Sequence, residues 1–138
     1  MATGLTSLGT NLVIAWGYKA DEGWTFYNPI LPEMSTLEIL YMQRGYWINV
    51  RHACTLEYGA NTYQLQEGWN LIGWLGYQEH TGTNPPVATG LASLGTNLVI
   101  AWGYKADEGW TFYNPLLPEM STLEILRVGR GYWINVTL

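Results

Sequence analysis

Histidine, cysteine and carboxylate groups are the side chains here that could do acid–base, nucleophilic or metal chemistry, and they are sparse. The 138 residues include two histidines, His52 and His80, and one cysteine, Cys54. A strand would place His52 and Cys54 on the same face, but no third group lies nearby in sequence to orient a nucleophile. Neither histidine belongs to a recognised metal or nucleophile motif. The sequence therefore predicts a protein that is not an enzyme, without catalytic residues, cofactor or metal.

Adjacent carboxylates occur at Asp21-Glu22 and again at Asp107-Glu108. Each pair precedes a glycine between two apolar stretches, a composition typical of a hairpin loop. Neighbouring residues on a loop point apart, whereas a hard-cation site needs several converging oxygen ligands. We interpret both pairs as solvated turns.

Aromatic rings are the other chemically distinctive group, with eight Trp and ten Tyr against two Phe. Exposed rings could stack on sugars, which makes carbohydrate binding the alternative function. The candidate ligand-binding aromatics are Trp24, Tyr27, Trp74, Trp110 and Tyr113. Tryptophans on alternating strands of a small β domain are, however, more often core. The tryptophans predicted to be mostly core are Trp16, Trp47, Trp69, Trp102 and Trp133.

Charge and hydropathy argue against two classes of partner. The net charge is −5 and the six basic residues are scattered singly, so no basic stripe could neutralise phosphates and nucleic acid is not expected. The apolar runs are far shorter than the roughly 20 residues that span a bilayer, so no membrane span is expected. No secretion signal is visible after Met1.

An internal duplication organises the chain. Residues 2–50 recur as residues 88–136 at a constant offset of 86, with 44 of 49 positions identical. The differing pairs are Thr6/Ala92, Ile30/Leu116, Tyr41/Arg127, Met42/Val128 and Gln43/Gly129. Between the copies lies a unique central segment, 51–87. A near-exact duplicate indicates two copies of one structural unit.

Alternation of bulky and small residues, as in Leu12–Lys19, predicts strands. We expect one pseudo-symmetric domain over 1–138 that is mainly β (a β-rich α+β fold). Its two near-identical half-units would surround a central hairpin as a pseudo-twofold barrel or sandwich with short helices. A capping box, Ser35 with Glu38, predicts a short helix beginning at Ser35 and again at Ser121.

The central segment has no second copy, so one repeat is incomplete. If a full unit is the segment followed by a block, residues 2–50 have lost their opening strands. Exposed sheet edges and apolar faces are unstable in water. We therefore expect the two copies to pack around the single hairpin, or a second chain to lend strands.

Several stretches resemble a known type of module. They are Glu67–Trp74, Trp102–Tyr104, Trp110–Pro115, Ser121–Leu126 and Gly131–Val136. In this order they resemble the GWNLIG…GYWI-type β-rich tandem modules of large bacterial and archaeal cell-surface and secreted proteins. The resemblance implies an extracellular or cell-surface location and a non-catalytic structural or interaction role. Its partners would be the protein itself, as a homo-oligomer or by strand exchange, or neighbouring repeats of a parent protein, with a glycan as the alternative.

Overall fold

The computed structural model describes residues 2–80 and 82–137, and it confirms a mainly β fold with short helices. The strands in this part of the chain are β1 (Leu12–Lys19), β2 (Gly23–Tyr27), β3 (Gly45–Val50), β4 (Cys54–Tyr58), β5 (Asn61–Leu65), β6 (Gly68–Gly73), β7 (Leu98–Lys105), β8 (Gly109–Tyr113) and β9 (Tyr132–Val136). The α-helices are α1 (Ala2–Leu5) and α2 (Val87–Gly90), and the 3₁₀ helices are Thr6–Asn11, Pro32–Met34, Ala92–Asn97 and Pro118–Met120. Within residues 2–80 and 82–137, none of the short helices could span a bilayer.

Three antiparallel sheets form from these strands. The first has the order β2-β1-β3-β6, the second is the hairpin β4-β5, and the third has the order β8-β7-β9. The first and third sheets share their registers across the duplication: Trp16 lies opposite Trp47, and Trp102 lies opposite Trp133. The two copies of the repeat therefore fold alike, and β6 is an additional strand on the first copy.

A bulge near the start of β1 changes the face of the sheet on which Leu12 lies. The register with β3 shifts between Leu12 and Ile14, so Leu12 joins the buried side together with Ala15. Strict alternation would have placed Leu12 beside Trp16 on the opposite face. The small side of β1 then lies against the core, where a methyl group added at Gly17 would come within 3.0 Å of the Tyr46 ring.

The central segment completes the first copy, which contradicts the expectation that residues 2–50 are the incomplete unit. Strand β6 pairs with β3 from Gly45 opposite Gly73 to Val50 opposite Gly68. Leu56 and Tyr63 of the hairpin belong to the same buried core as the first copy. A full unit is thus a block followed by the segment, and within residues 1–138 only the first copy is covered in this way.

The core of the second copy is correspondingly smaller. Its buried members are Val87, Ala101 and Leu123, with half-buried side chains packed around them. Ile134 of β9 is 44% exposed, whereas its equivalent Ile48 is fully buried. The same residues therefore have different environments because only one copy is covered.

The helices predicted at Ser35 and Ser121 do not form. Ser35 ends the 3₁₀ helix Pro32–Met34 in an extended conformation, and residues 35–40 are not helical. Its hydroxyl accepts a hydrogen bond from the backbone N–H of Asn28 and donates to the carbonyl of Leu31. Serine side chains that bond to nearby backbone compete with helix formation in this way. Ser121 makes the same contacts with Asn114 and Leu117.

The two units also meet backbone to backbone. Gly73 N–H donates to the carbonyl of Gly129, and Gly131 N–H donates to that of Leu71. A Cβ at Gly73 would lie 2.7 Å from the Arg130 oxygen, and one at Gly131 would lie 2.7 Å from the Ile72 oxygen. Both positions need glycine because the two backbone segments approach each other too closely for a side chain.

Two buried tyrosines give the first testable prediction. Burial raises the pKa of Tyr46 and Tyr63 above the ordinary value near 10, although each hydroxyl accepts a backbone hydrogen bond that lowers it. Both phenols ionise at a lower pH in the unfolded chain than in the folded chain. Their contribution to the free energy of unfolding is therefore complete below about pH 10 and falls as pH rises through the folded pKa. Spectroscopic titration of tyrosinate should show these two groups ionising late, together with unfolding. Tyr63→Phe should remove one late group, and simultaneous ionisation of every tyrosine in the folded chain would contradict the prediction.

Candidate functional site

A continuous aromatic face covers the side of the first sheet that points away from the hairpin. Cross-strand register brings its rings together: Trp16 lies opposite Phe26 on β2 and opposite Trp47 on β3, and Tyr18 lies opposite Trp24. Ring centroids in the Trp16–Phe26 and Tyr18–Trp24 pairs are 5.3 Å and 5.0 Å apart. Because side chains alternate along strands, these bulky positions share one face of the sheet.

The third sheet presents the same face, and the two faces touch. Tyr18 contacts Trp133 at 5.1 Å between ring centroids, and the equivalent pair Trp47 and Tyr104 is 5.2 Å apart. The Trp24–Trp133 distance of 5.6 Å likewise recurs for Trp47 and Trp110. Each contact from copy one to copy two has its reciprocal, as in a twofold-related interface between identical surfaces. The ring pairs across the interface are T-shaped or tilted, which is the favourable geometry for aromatic rings.

An open aromatic cleft remains beside this interface. Its volume is about 720 Å³, and its lining is Trp16, Trp24, Trp47, Trp69, Tyr104 and Trp110. Trp69 belongs to β6, so residues 88–136 cannot build an equivalent wall. The cleft is the structure's candidate functional site, and its chemistry is ring stacking, with indole N–H and phenol O–H groups as its only side-chain hydrogen-bonding groups.

The predicted ligand-binding aromatics separate into three groups. Trp24 and Trp110 are each 52% exposed and lie in the cleft. Tyr27 and Tyr113 are half-buried and pack against the two cores. Trp74 is only 3% exposed, and its ring stacks on Tyr63 at 5.5 Å. Trp74 is therefore a core residue, because the hairpin closes over it.

The prediction that five strand tryptophans are mostly core is wrong. Trp69 and Trp102 are exposed, and the remaining three are half-buried. Those three are Trp16, Trp47 and Trp133. The site residues that sequence reasoning missed are Trp16, Trp47, Trp69 and Tyr104. Their shared strand face was visible as alternation, but the sequence did not indicate which face would be covered.

The charged and histidine candidates are dispersed on the surface, whereas Cys54 is half-buried against the first core. Lys19 Nζ lies 3.8 Å from Asp21 and 3.4 Å from Glu22, as expected for a solvated hairpin turn, and Lys105 repeats the arrangement. His52 Nδ1 lies 3.9 Å from the Glu67 carboxylate with both side chains exposed. Among residues 2–80 and 82–137, no three histidine, cysteine or acidic side chains cluster as metal ligands.

A polar groove recurs in both copies between β1 or β7 and the residues that follow the 3₁₀ helix. The first, of about 750 Å³, is lined by Lys19, Glu38, Arg44 and their neighbours. The second, of about 520 Å³, is lined by Lys105, Glu124, Arg130 and theirs. These grooves mix charges of both signs, so they offer charged hydrogen-bonding groups that the aromatic cleft lacks.

Comparison of the chain with protein-family models, with curated proteins and with solved structures found no match.

Proposed function

We propose that this chain is a non-catalytic structural and interaction module of an extracellular or cell-surface repeat protein, and that its units associate with further copies of themselves. The observation that supports this proposal is the reciprocal aromatic contact between the two copies, in which Tyr18–Trp133 repeats as Trp47–Tyr104. A surface that pairs with its own duplicate within a chain is self-complementary. The extracellular location rests on the resemblance to cell-surface modules.

Association should depend on rings rather than charges. Trp24, Trp69, Trp102 and Trp110 keep more than a third of their surface exposed after the two copies have packed. Apolar patches of this kind are typical of interaction sites. Salt screens exposed charges but leaves apolar contact intact, so association should persist at high ionic strength.

Sedimentation velocity over a wide concentration range tests the proposal. The average mass should rise above the 15.6 kDa of one chain as concentration increases, with and without added salt. Trp69→Ala should weaken the rise, while Leu116→Ala, at an 87% exposed position away from the cleft, should not. A mass that stays at one chain at every concentration would overturn self-association.

Carbohydrate binding is the second candidate, and the aromatic cleft is the observation that favours it. Six rings around about 720 Å³ could stack on the apolar faces of sugar rings. Affinity electrophoresis in gels containing soluble polysaccharides would detect such binding as retarded migration. The same mobility in every polysaccharide gel would count against this candidate.

A further inference from the structure

Strands β3 and β9 carry the same residues but have different neighbours. In the first copy β3 lies between β1 and β6. Within the described chain, β9 pairs along its length with β7 alone, and the contacts of residues 129–131 with β6 precede it. The second edge of β9 therefore presents unpaired backbone groups, which can accept another strand.

The face beside this edge is apolar and uncovered. Val136 is 42% exposed, against 1% for its equivalent Val50. Leu94 is half-buried where Leu8 is buried. In the first copy the equivalent surface is covered by β4, β5 and β6. The same side chains in the second copy could therefore pack against an element of the same kind.

Polar anchors for that element are also duplicated. Ser7 Oγ accepts a hydrogen bond from the Glu57 backbone N–H. The Asn11 side chain donates to the carbonyl of His52 and accepts from its N–H, both at 2.9 Å. Their equivalents are Ser93 and Asn97, and both are exposed. Asn97 also holds the backbone after β9 as Asn11 does after β3, since Thr137 N–H donates to its carbonyl.

We propose that the open face and edge of the second copy form an acceptor site for one more segment of the Arg51–Trp74 type, supplied from outside residues 1–138. The occupant is a hairpin with one apolar face, followed by a strand of the Gly68–Gly73 kind that adds to β9. Residues 1–138 hold two blocks and one segment, and the first block already holds that segment. The occupant is therefore a further segment of this type that is not already held by another block.

The acceptor site has a defined limit at the turn before β9. Val128 N–H donates to the Asn84 side chain, and Gly129 accepts from Gly73, so this turn is already engaged. In the first copy the equivalent turn contacts the end of the segment, where Gln43 N–H donates to the Trp74 carbonyl. The proposed contact accordingly covers β9 and the 3₁₀ helix Ala92–Asn97. Three of the five sequence differences between the copies, at residues 127–129, fall outside this contact.

This proposal rests on the proposed function and names the partner of its units. The two fail separately, since sedimentation tests association of the chain with itself and the following experiment tests binding of a free segment. A synthetic peptide with the sequence 51–74 is titrated into the full chain under reducing conditions, and amide hydrogen exchange is followed along β9. We expect one peptide per chain and slowed exchange at residues 132–136.

Matched variants make the outcome decisive. A peptide carrying Leu56→Asp and Ile72→Asp, both buried positions in the first copy, should not protect β9. In the chain, Ile134→Asp should weaken binding at least about tenfold, which corresponds to about 1.4 kcal/mol, and Leu116→Asp should leave it unchanged. Absence of protection at β9, protection that survives Ile134→Asp, or protection confined to β3 through displacement of the chain's own segment would each overturn the proposal. A dimer of chains joined through β9 that excludes the peptide would also overturn it.

Discussion

Replacing Ile48 by alanine should lower the free energy of unfolding by about 2 to 5 kcal/mol, the range for truncating a buried isoleucine. Ile48 is fully buried in a core that includes Leu56 and Tyr63 of the hairpin, so truncation leaves a cavity lined by both parts of the chain. Ile134→Ala removes the same atoms from the same strand position in the second copy. That side chain is 44% exposed, so the cost should be about 1 kcal/mol.

Urea unfolding followed by tryptophan fluorescence compares the two variants directly. Because residue type, strand and register are shared, the difference between them measures what the central segment contributes by covering one copy. Equal losses from the two variants would contradict the assignment of the segment to the first copy. Adding the 51–74 peptide should raise the cost of Ile134→Ala if the acceptor site is occupied.

Trp74→Ala should be the most destabilising tryptophan substitution, at about 3 to 5 kcal/mol. The ring is 3% exposed and lies between Tyr58 and Tyr63, with centroid distances of 5.3 Å and 5.5 Å. It also lies over the first helix, where a Cβ on Gly4 would come within 3.1 Å of it. Truncation therefore removes contacts with the hairpin and with the first helix together.

Trp110→Ala is the matched surface change. The side chain is half exposed and touches Trp47, Tyr104 and Trp102 at its edges, so we expect a loss of about 1 kcal/mol. If the cleft binds glycans, this variant should lose retention in polysaccharide gels while remaining folded. Thermal unfolding of both variants tests the contrast, and a Trp74→Ala protein as stable as the parent would refute the core assignment.

The sequence by itself determined the strands of the repeat and the duplication. Alternation in Leu12–Lys19 and in Gly45–Val50 gives strands because side chains alternate across a sheet. Identity at 44 of 49 positions gives two sheets with the same register, because the same residues favour the same strand pairing. The mainly β fold followed from these patterns.

The sequence did not indicate which of two competing hydrogen-bonding patterns Ser35 would adopt. The capping-box pattern at Ser35 predicted a helix, yet its hydroxyl bonds to the backbone of Asn28 and Leu31. Thr36 adds to this, since its N–H donates to the Phe26 carbonyl and its hydroxyl accepts from the Phe26 N–H. These partners lie up to ten residues away, so only the folded chain shows that they are in reach.

Tertiary structure decided which faces are covered, and with them the candidate site. Both sides of β1 carry residues that could be buried; the small side, with Ala15, faces the core, and the bulge after Leu12 places Leu12 on that side as well. Trp16 and Trp47 then face the other copy, whereas Trp74 is enclosed by the hairpin. Burial depends on which segment packs against a face, and that choice is made by contacts between residues far apart in sequence. Identical residues such as Ile48 and Ile134 therefore differ in exposure, a difference that identical sequence cannot encode locally.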